Sequence, residues 1–279
     1  MKIINAIDNA NTVPAYFEKT GHKLNILVSY PYLKGNALKL TKQYRDKIDL
    51  LYLDSGAYSV SRGKFNLTVS EYALYLARYG NLFDAFFNLD DKFDDPHHNF
   101  TNQAYLESHL PQGSKKPIPV VHDEQDPYEE FKTYAKQGHD YIAIGSSRKI
   151  KDEVFKKIRK KFPGIKIHMF GKLNRKMLIK FKPYSADAST WLKTAGFGRI
   201  HYWDPEDEKD YEIKVDGAEA QKGKKVGWKE FNHRRALERF LDEKFEYSRN
   251  TLITNISACR IVNLYFFKQL EDYINSLPV

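Results

Sequence analysis

Eight short apolar runs, spaced through the middle of the chain, set the tightest limit on how it can fold. They are NILVSY (25–30), LLYLDSGAY (50–58), FDAFFNLD (83–90), PIPVVHDE (117–124), YIAIGSS (141–147), KIHMFG (166–171), YSADAS (184–189) and GRIHYW (198–203). Each is rich in β-branched or aromatic residues and is bounded by Gly, Pro, Asp or Ser, the pattern of a strand. Amphipathic stretches at 69–80, 102–110, 127–138 and 150–164 carry helical periodicity, and the last stops at Pro163-Gly164. Strands apolar on both faces and separated by helices belong to a parallel sheet of βαβ units. Eight of them predict an α/β protein with a (β/α)8 TIM-type barrel, its strands spanning about 25–203. An open doubly wound sheet is the alternative. No GxGxxG follows the first run, which counts against a dinucleotide-binding version.

The remainder of the chain differs in composition. Residues 205–230 are strongly polar, with turn signals at Asp216-Gly217 and Lys222-Gly223. They predict a hairpin or insertion within 205–254 that continues into a basic helix over 228–247. Residues 255–276 predict the last barrel helix, so that 1–279 is expected to form one barrel domain. No apolar run approaches the roughly 18–20 residues that span a bilayer, and the N-terminus lacks a signal peptide's apolar stretch. A cytoplasmic protein without a membrane partner is expected. The lone Cys259 leaves no material for an internal disulfide or a cysteine-rich zinc subdomain. Lys and Arg number 45 against 36 Asp and Glu, a net charge of +9 that favours an anionic partner, nucleic acid first.

Polar residues gather where the predicted strands end: Asp54-Ser55-Gly56, Asp90-Asp91, His122-Asp123-Glu124, Gly145-Ser146-Ser147, Gly171 and Asp187. In a parallel barrel those ends meet at one mouth, where active sites are assembled. Any one Asp there also fits a helix cap or a turn. The group together, with a His and a Gly-Ser turn, points to an enzyme. The run Asp90-Asp91…Asp94-Asp95…His97-His98 has the residue types of a metal site but no spacing that dictates a geometry, and a helix-initiating loop explains it equally. Neither a metal nor a cofactor is expected.

LDSGAYS (53–59), LDD (89–91), YIAIGSS (141–147), IHMFG (167–171) and SADASTW (185–191) occur in the order seen in tRNA-guanine transglycosylases. Over about 25–203 the chain resembles a reduced member of that superfamily, most similar to relatives that insert 7-deazaguanine bases into DNA. The resemblance implies exchange of guanine for a 7-deazaguanine at C1′ of a nucleotide. It makes Asp187 the nucleophile that forms a covalent glycosyl intermediate, and Asp54 the general acid/base for the departing and arriving bases. It makes Asp90 the carboxylate that reads the purine edge, Gly145 and Ser146 a turn whose amides approach the base, Tyr58 a stacking aromatic and Phe170, beside Gly171, an apolar wall. Tyr58 and Phe170 are also compatible with core packing. Elementary chemistry supports the division of labour: oxocarbenium character at C1′ is stabilised or trapped by one carboxylate, and a second must manage a proton at a raised pKa.

The sequence also departs from the family. Gly-Gly pairs read Gly56-Ala57 and Gly145-Ser146, and the base-binding Gln of the fourth strand is His122. The zinc subdomain that helps grip tRNA is missing, so DNA is the expected partner beside the free base, with tRNA as the alternative. Arg199 and His201, near the last predicted strand's end, are candidates for a phosphate beside the site. Lys224, Lys225, Arg234 and Arg235 within KKVGWKEFNHRR (224–235), and the basic stretch 151–166, could track a backbone or simply be solvated faces. Trp191 and Trp203 are candidates to fill the gap left by a flipped nucleotide. Tyr265, Phe266, Phe267 and Tyr273 fit barrel packing and leave a homodimer open. A compact, basic, cysteine-poor chain would suit a phage genome. A catalytically inactive nucleic-acid-binding barrel and a base-removing hydrolase are the competing functional readings.

Overall fold

The computed structural model describes residues 1–33, 35–122, 127–145, 152–171, 174–217 and 219–278. In chain order its strands and helices begin with β1 (Lys2–Ala6), α1 (Thr12–Thr20), β2 (Leu24–Ser29), β3 (Ile48–Asp54), α2 (Ala57–Ser61), α3 (Val69–Tyr79), β4 (Ala85–Phe86) and α4 (Pro96–His109). They continue with β5 (Val120–Val121), α5 (Pro127–Lys136), β6 (Tyr141–Ile144), α6 (Asp152–Lys161), β7 (Lys166–Met169), α7 (Arg175–Phe181), β8 (Ser185–Ala188) and α8 (Thr190–Gly196). The last are β9 (Arg199–Asp204), β10 (Lys209–Lys214), β11 (Lys225–Gly227), α9 (Arg234–Phe245), α10 (Arg249–Thr254) and α11 (Ile256–Ser276). Two compact units result, Met1–Asp8 with Asn25–Ala188, and Asn9–Leu24 with Ser189–Val279.

In the first unit an 8-stranded parallel sheet runs β4-β3-β2-β1-β8-β7-β6-β5. Its two edges are joined by a parallel bridge between Phe87 and Ile118. There the Ile118 amide donates to the Phe86 carbonyl (2.8 Å) and the Asn88 amide to the Ile118 carbonyl (3.0 Å). The sheet thus curls into the predicted (β/α)8 TIM-barrel-like architecture. β5 is only two residues long because Pro117 and Pro119 precede it, and proline has no N–H for a ladder.

Seven of the eight predicted runs lie in barrel strands; the eighth does not. GRIHYW becomes β9 of a separate sheet, and the remaining barrel strand is β1, which pairs with β2 and β8 in the registers Asn5↔Ile26 and Ile4↔Asp187. The reason is local. KIINA is short and carries a polar Asn5, yet Asn5 is buried with its Nδ2 donating to the Asn25 carbonyl (3.3 Å). GRIHYW is followed by KDYEIK, whose alternating pattern makes an antiparallel hairpin cheaper than a further crossover.

Alternation of side chains along the strands builds the interior. Ile4, Leu27, Tyr52, Phe87, Val120 and Ala143 meet in one buried cluster, against which Phe170 packs. The larger apolar side chains among them, Ile4, Leu27, Phe87 and Val120, each contribute roughly 1.5–3 kcal/mol. Two residues beyond Tyr52 on the same face stands Asp54, at the C-terminal end of its strand. Helix starts are equally legible. Thr68 and Glu71 form a capping box on α3, and Asp95 caps α4 by accepting from the His98 amide (3.0 Å). That cap starts α4 at Pro96, ahead of the predicted 102.

In the second unit β9 and β10 form the antiparallel hairpin and β11 adds parallel to β10, so the polar segment is an ordered three-stranded sheet. α11 matches the predicted 255–276 and packs against α8, β9 and α1. Its fully buried Asn263 accepts from the His201 amide (2.6 Å) and donates to the carbonyls of Trp191 (3.0 Å) and Arg199 (3.2 Å). Among the described residues no helix is long and apolar enough to cross a membrane.

Candidate active site

Three carboxylates converge at the barrel mouth. Asp54 closes β3, Asp90 follows β4, and Asp187 lies in β8. Asp54 is held by the Ser29 hydroxyl (2.8 Å) and the Gly56 amide (3.2 Å). Burial pushes its pKa up, the charges of Asp90 and Asp187 push it further, and the result is about 7 despite the two hydrogen bonds. Gly56 is required here: its φ of 82° is left-handed, and a Cβ would strike the Pro31 ring.

Asp187 is buried, and its Oδ1 accepts from the Gly171 amide (2.9 Å). Gly171 itself adopts a φ of 63° at the end of the IHMFG run. Thus the glycine aligns the carboxylate read as the nucleophile. Phe170 packs on Phe87 (4.6 Å between ring centroids) and His168 (4.6 Å), half-buried at the top of the interior cluster. Tyr58, on the short α2, is 62% exposed; among the described residues only the Arg62 guanidinium lies over its ring (5.5 Å), so one face is open to stacking.

Asp90 and His122 form a short hydrogen-bonded pair through Oδ2 and Nε2. Phe93 lies against the imidazole (4.5 Å), and Glu130 accepts from the His122 amide (2.9 Å). Burial alone would lower the pKa of His122; the facing Asp90 carboxylate outweighs it and holds the pKa above the ordinary value. Gly145 matters for a different reason from the one expected. Its amide donates to the Val121 carbonyl (2.8 Å) within the sheet, and a Cβ at this position would occupy the place of the His122 ring. Gly145 makes room for His122 and does not offer its N–H to a base. Ser146 lies outside the described residues.

The residues predicted to hold nucleic acid belong to the second unit. His201 is a core residue: 3% exposed, bonded to Thr194 Oγ1 (3.1 Å) and stacked on Phe266, with burial lowering its pKa to about 4. It carries no charge at neutral pH and faces no phosphate, which corrects the expectation. Arg199 is engaged by both oxygens of Glu219, one at 2.8 Å, and this pairing raises its pKa. Lys224 pairs with Glu212 (3.2 Å) and Arg234 approaches Glu238 (3.8 Å), while Lys225 and Arg235 are exposed. Trp191 is fully buried and fills no gap in a helix; Trp203 stacks on Tyr273.

Two groups went unread in the sequence. One is a file of buried polar side chains, Tyr52, Tyr141, Ser185 and His168, inside the barrel. The other is Asp204, Asp207 and His233 in the second unit, whose ligand-type atoms lie within 4.8 Å of one another. There the His233 Nδ1 meets the fully buried Asp204 (2.6 Å), and Tyr211 bonds Asp207. No sequence spacing announces either group, because each joins residues from distant segments. Of the acidic run at 90–98, Asp95 is the cap of α4 and Asp91 faces His98 (3.1 Å).

A TIM-barrel-like fold with buried acidic and histidine side chains has general catalytic potential. No family model and no curated protein matches the chain. Among solved structures it is similar to a protein from Coccidioides immitis described as a candidate fructose-1,6-biphosphate aldolase. The TM-score is 0.53 at 9% identity, covering 99% of this chain and 93% of that one. At that identity the likeness is one of fold.

Proposed function

We propose that the chain is a nucleic-acid guanine transglycosylase that exchanges guanine for a 7-deazaguanine base in DNA. The observation that carries this reading is the pair Asp54 and Asp187: two carboxylates at one mouth, the first with its pKa raised to about 7, the second aligned by a backbone amide. Environments that differ in this way separate a proton carrier from a nucleophile. The motif order shared with the transglycosylase superfamily supplies the substrate class.

The exchange balances with these residues. Asp187 attacks C1′ as the C1′–N9 bond breaks, and protonated Asp54 hands its proton to the departing guanine. Asp54, now ionised, takes the ring N–H proton of the incoming 7-deazaguanine, whose nitrogen attacks C1′ and releases Asp187 as carboxylate. Two displacements retain configuration. Nothing is oxidised or reduced, so no redox cofactor is called for. Asp90 with His122 offers an acceptor beside a donor, which suits a purine edge that presents N–H groups next to a carbonyl. Tyr58 supplies an open face for the heterocycle. The excess of Lys and Arg favours a polyanion, and C1′ inside a duplex must be reached by flipping the nucleotide or by using single strands.

The deciding experiment follows labelled guanine out of duplex DNA, single-stranded DNA and tRNA in parallel, with and without a 7-deazaguanine, using Asp187→Ala as control. Release from DNA that requires Asp187 and the incoming base is the expected result. Release from tRNA alone moves the substrate to tRNA. Binding without release from any of them leaves a nucleic-acid-binding barrel.

A further inference from the structure

Beneath the mouth runs a file of polar side chains that the exchange described above does not use. Tyr52 Oη lies 3.4 Å from Tyr141 Oη, which lies 2.6 Å from Ser185 Oγ, which lies 2.6 Å from His168 Nδ1. His168 and Ser185 are fully buried. At the upper end of the file the second ring nitrogen, His168 Nε2, is buried without a hydrogen-bond partner among the described residues, 3.4 Å from Asp187 Oδ1. The order Ser185–His168–Asp187 looks like a hydrolase triad, but no substrate can reach a hydroxyl with no exposure.

With the ring neutral, the bond between His168 and Ser185 can run in only two directions. In one, His168 carries its proton on Nδ1 and donates to Ser185, leaving a bare Nε2 lone pair facing a carboxylate oxygen, which is repulsive and leaves a buried acceptor unmet. In the other, Tyr52 donates to Tyr141, Tyr141 to Ser185, and Ser185 to Nδ1, so the ring proton sits on Nε2 and points at Asp187. Both phenols stay protonated and able to donate: burial raises the pKa of Tyr52 to about 12 and lifts that of Tyr141 well above its ordinary value. Only the second direction gives the orphaned nitrogen a partner.

We propose that His168 is a positioning residue for Asp187: its neutral ring carries the proton on Nε2, fixed there by Tyr52, Tyr141 and Ser185, and with the Gly171 amide it engages Oδ1, leaving Oδ2 as the oxygen that bonds to C1′. The pair at 3.4 Å stands just beyond ordinary hydrogen-bond length, a gap of the kind that closes when substrate draws the carboxylate into its working position. Among the described residues the hydrogen bonds to Asp187 all fall on Oδ1. The role of Oδ2 rests on reading Asp187 as the nucleophile; the tautomer of His168 does not.

Two measurements on the full-length chain test this. Nitrogen-15 NMR of histidine-labelled protein, with the His168 signals assigned by their loss in His168→Gln, reads the tautomer directly. A neutral Nε2–H ring in the wild type, lost to a mixture in Ser185→Ala, is expected. An Nδ1–H ring or a doubly protonated one overturns the proposal. The second measurement is guanine release from DNA. His168→Leu should lower kcat about 10- to 100-fold with little change in KM, as loss of an outer-shell partner does. His168→Gln, which places an amide N–H near the position of Nε2, should recover most of the rate. Equal loss in both folded variants, or no loss in His168→Leu, contradicts the positioning role. Should the wild type release no guanine from any nucleic acid, the transglycosylase reading fails while the NMR result still decides the tautomer.

Discussion

At the scale of single residues, Asp54 is the most informative group in the molecule. A carboxyl held near pH 7 is protonated enough to donate and ionised enough to accept at physiological pH. In the proposed chemistry, guanine expulsion needs the protonated form. The rate of that first step should therefore fall as pH rises through about 7, and the inflection should vanish in Asp54→Asn; a pH profile of single-turnover guanine release reads it. The same shift affects stability. Because the folded pKa is raised above 3.8, the folded state holds the proton more tightly, and stability present below pH 4 is lost as pH climbs through 7. Asp54→Asn removes this loss, so it should be more stable than wild type at pH 8, by on the order of 4 kcal/mol at most, with the advantage shrinking toward pH 4. Denaturant melts at the two pH values measure it. Asp54 and Asp187 were legible in the sequence because strand ends collect function in a barrel. His168 was not, because nothing in IHMFG distinguishes an inward histidine from a core filler. His201 was misread for the converse reason: its place near the end of a predicted strand suggested a phosphate contact, yet its side chain is packed on Phe266.

At the scale of elements, the site depends on how neighbouring strands exclude or admit bulk. Gly145 on the rim of β6 leaves the space that the His122 ring fills. Gly145→Ala should overpack this contact, costing about 1–3 kcal/mol and displacing His122 from Asp90. Adding His122→Ala should restore most of the stability without restoring base affinity. A double-mutant cycle on melting, beside binding of guanine, separates the two effects. In the second unit Asn263 bonds an amide and two carbonyls from β9 and α8. Asn263→Leu removes three buried hydrogen bonds and should destabilise the protein by roughly 2–4 kcal/mol, seen as a lowered melting temperature. The elements also show where periodicity stops being enough. The strand rhythm predicted the barrel, but periodicity could not tell β9 from a barrel strand, because each is a short apolar run. What separated them was the partner strand: β9 is followed at once by an alternating segment able to return beside it, whereas β1 pairs parallel both with β2, the next strand in sequence, and with β8 from far along the chain.

For the whole molecule, net charge was a coarse guide and not a map. Several of the cations singled out in the sequence are committed to carboxylates, Arg199 to Glu219 and Lys224 to Glu212. Sequence counts charges; only the fold pairs them. Binding to a DNA strand should still depend steeply on salt. Neutralising three phosphates alone lowers affinity on the order of tenfold or more between roughly 50 and 200 mM. A salt series by fluorescence anisotropy measures the slope, and a flat response would mean that no polyanion is held.

The central claim is a covalent bond between Asp187 and C1′ of a nucleotide, and mass spectrometry of the trapped protein tests it most directly. Wild-type chain incubated with a guanine-containing DNA strand and no incoming base, then denatured and digested, should show the strand attached to the peptide that contains Asp187. Asp187→Ala should show none, and adding a 7-deazaguanine before denaturation should clear the adduct. Guanine released with no adduct, or an adduct mapped to another residue, would contradict the mechanism.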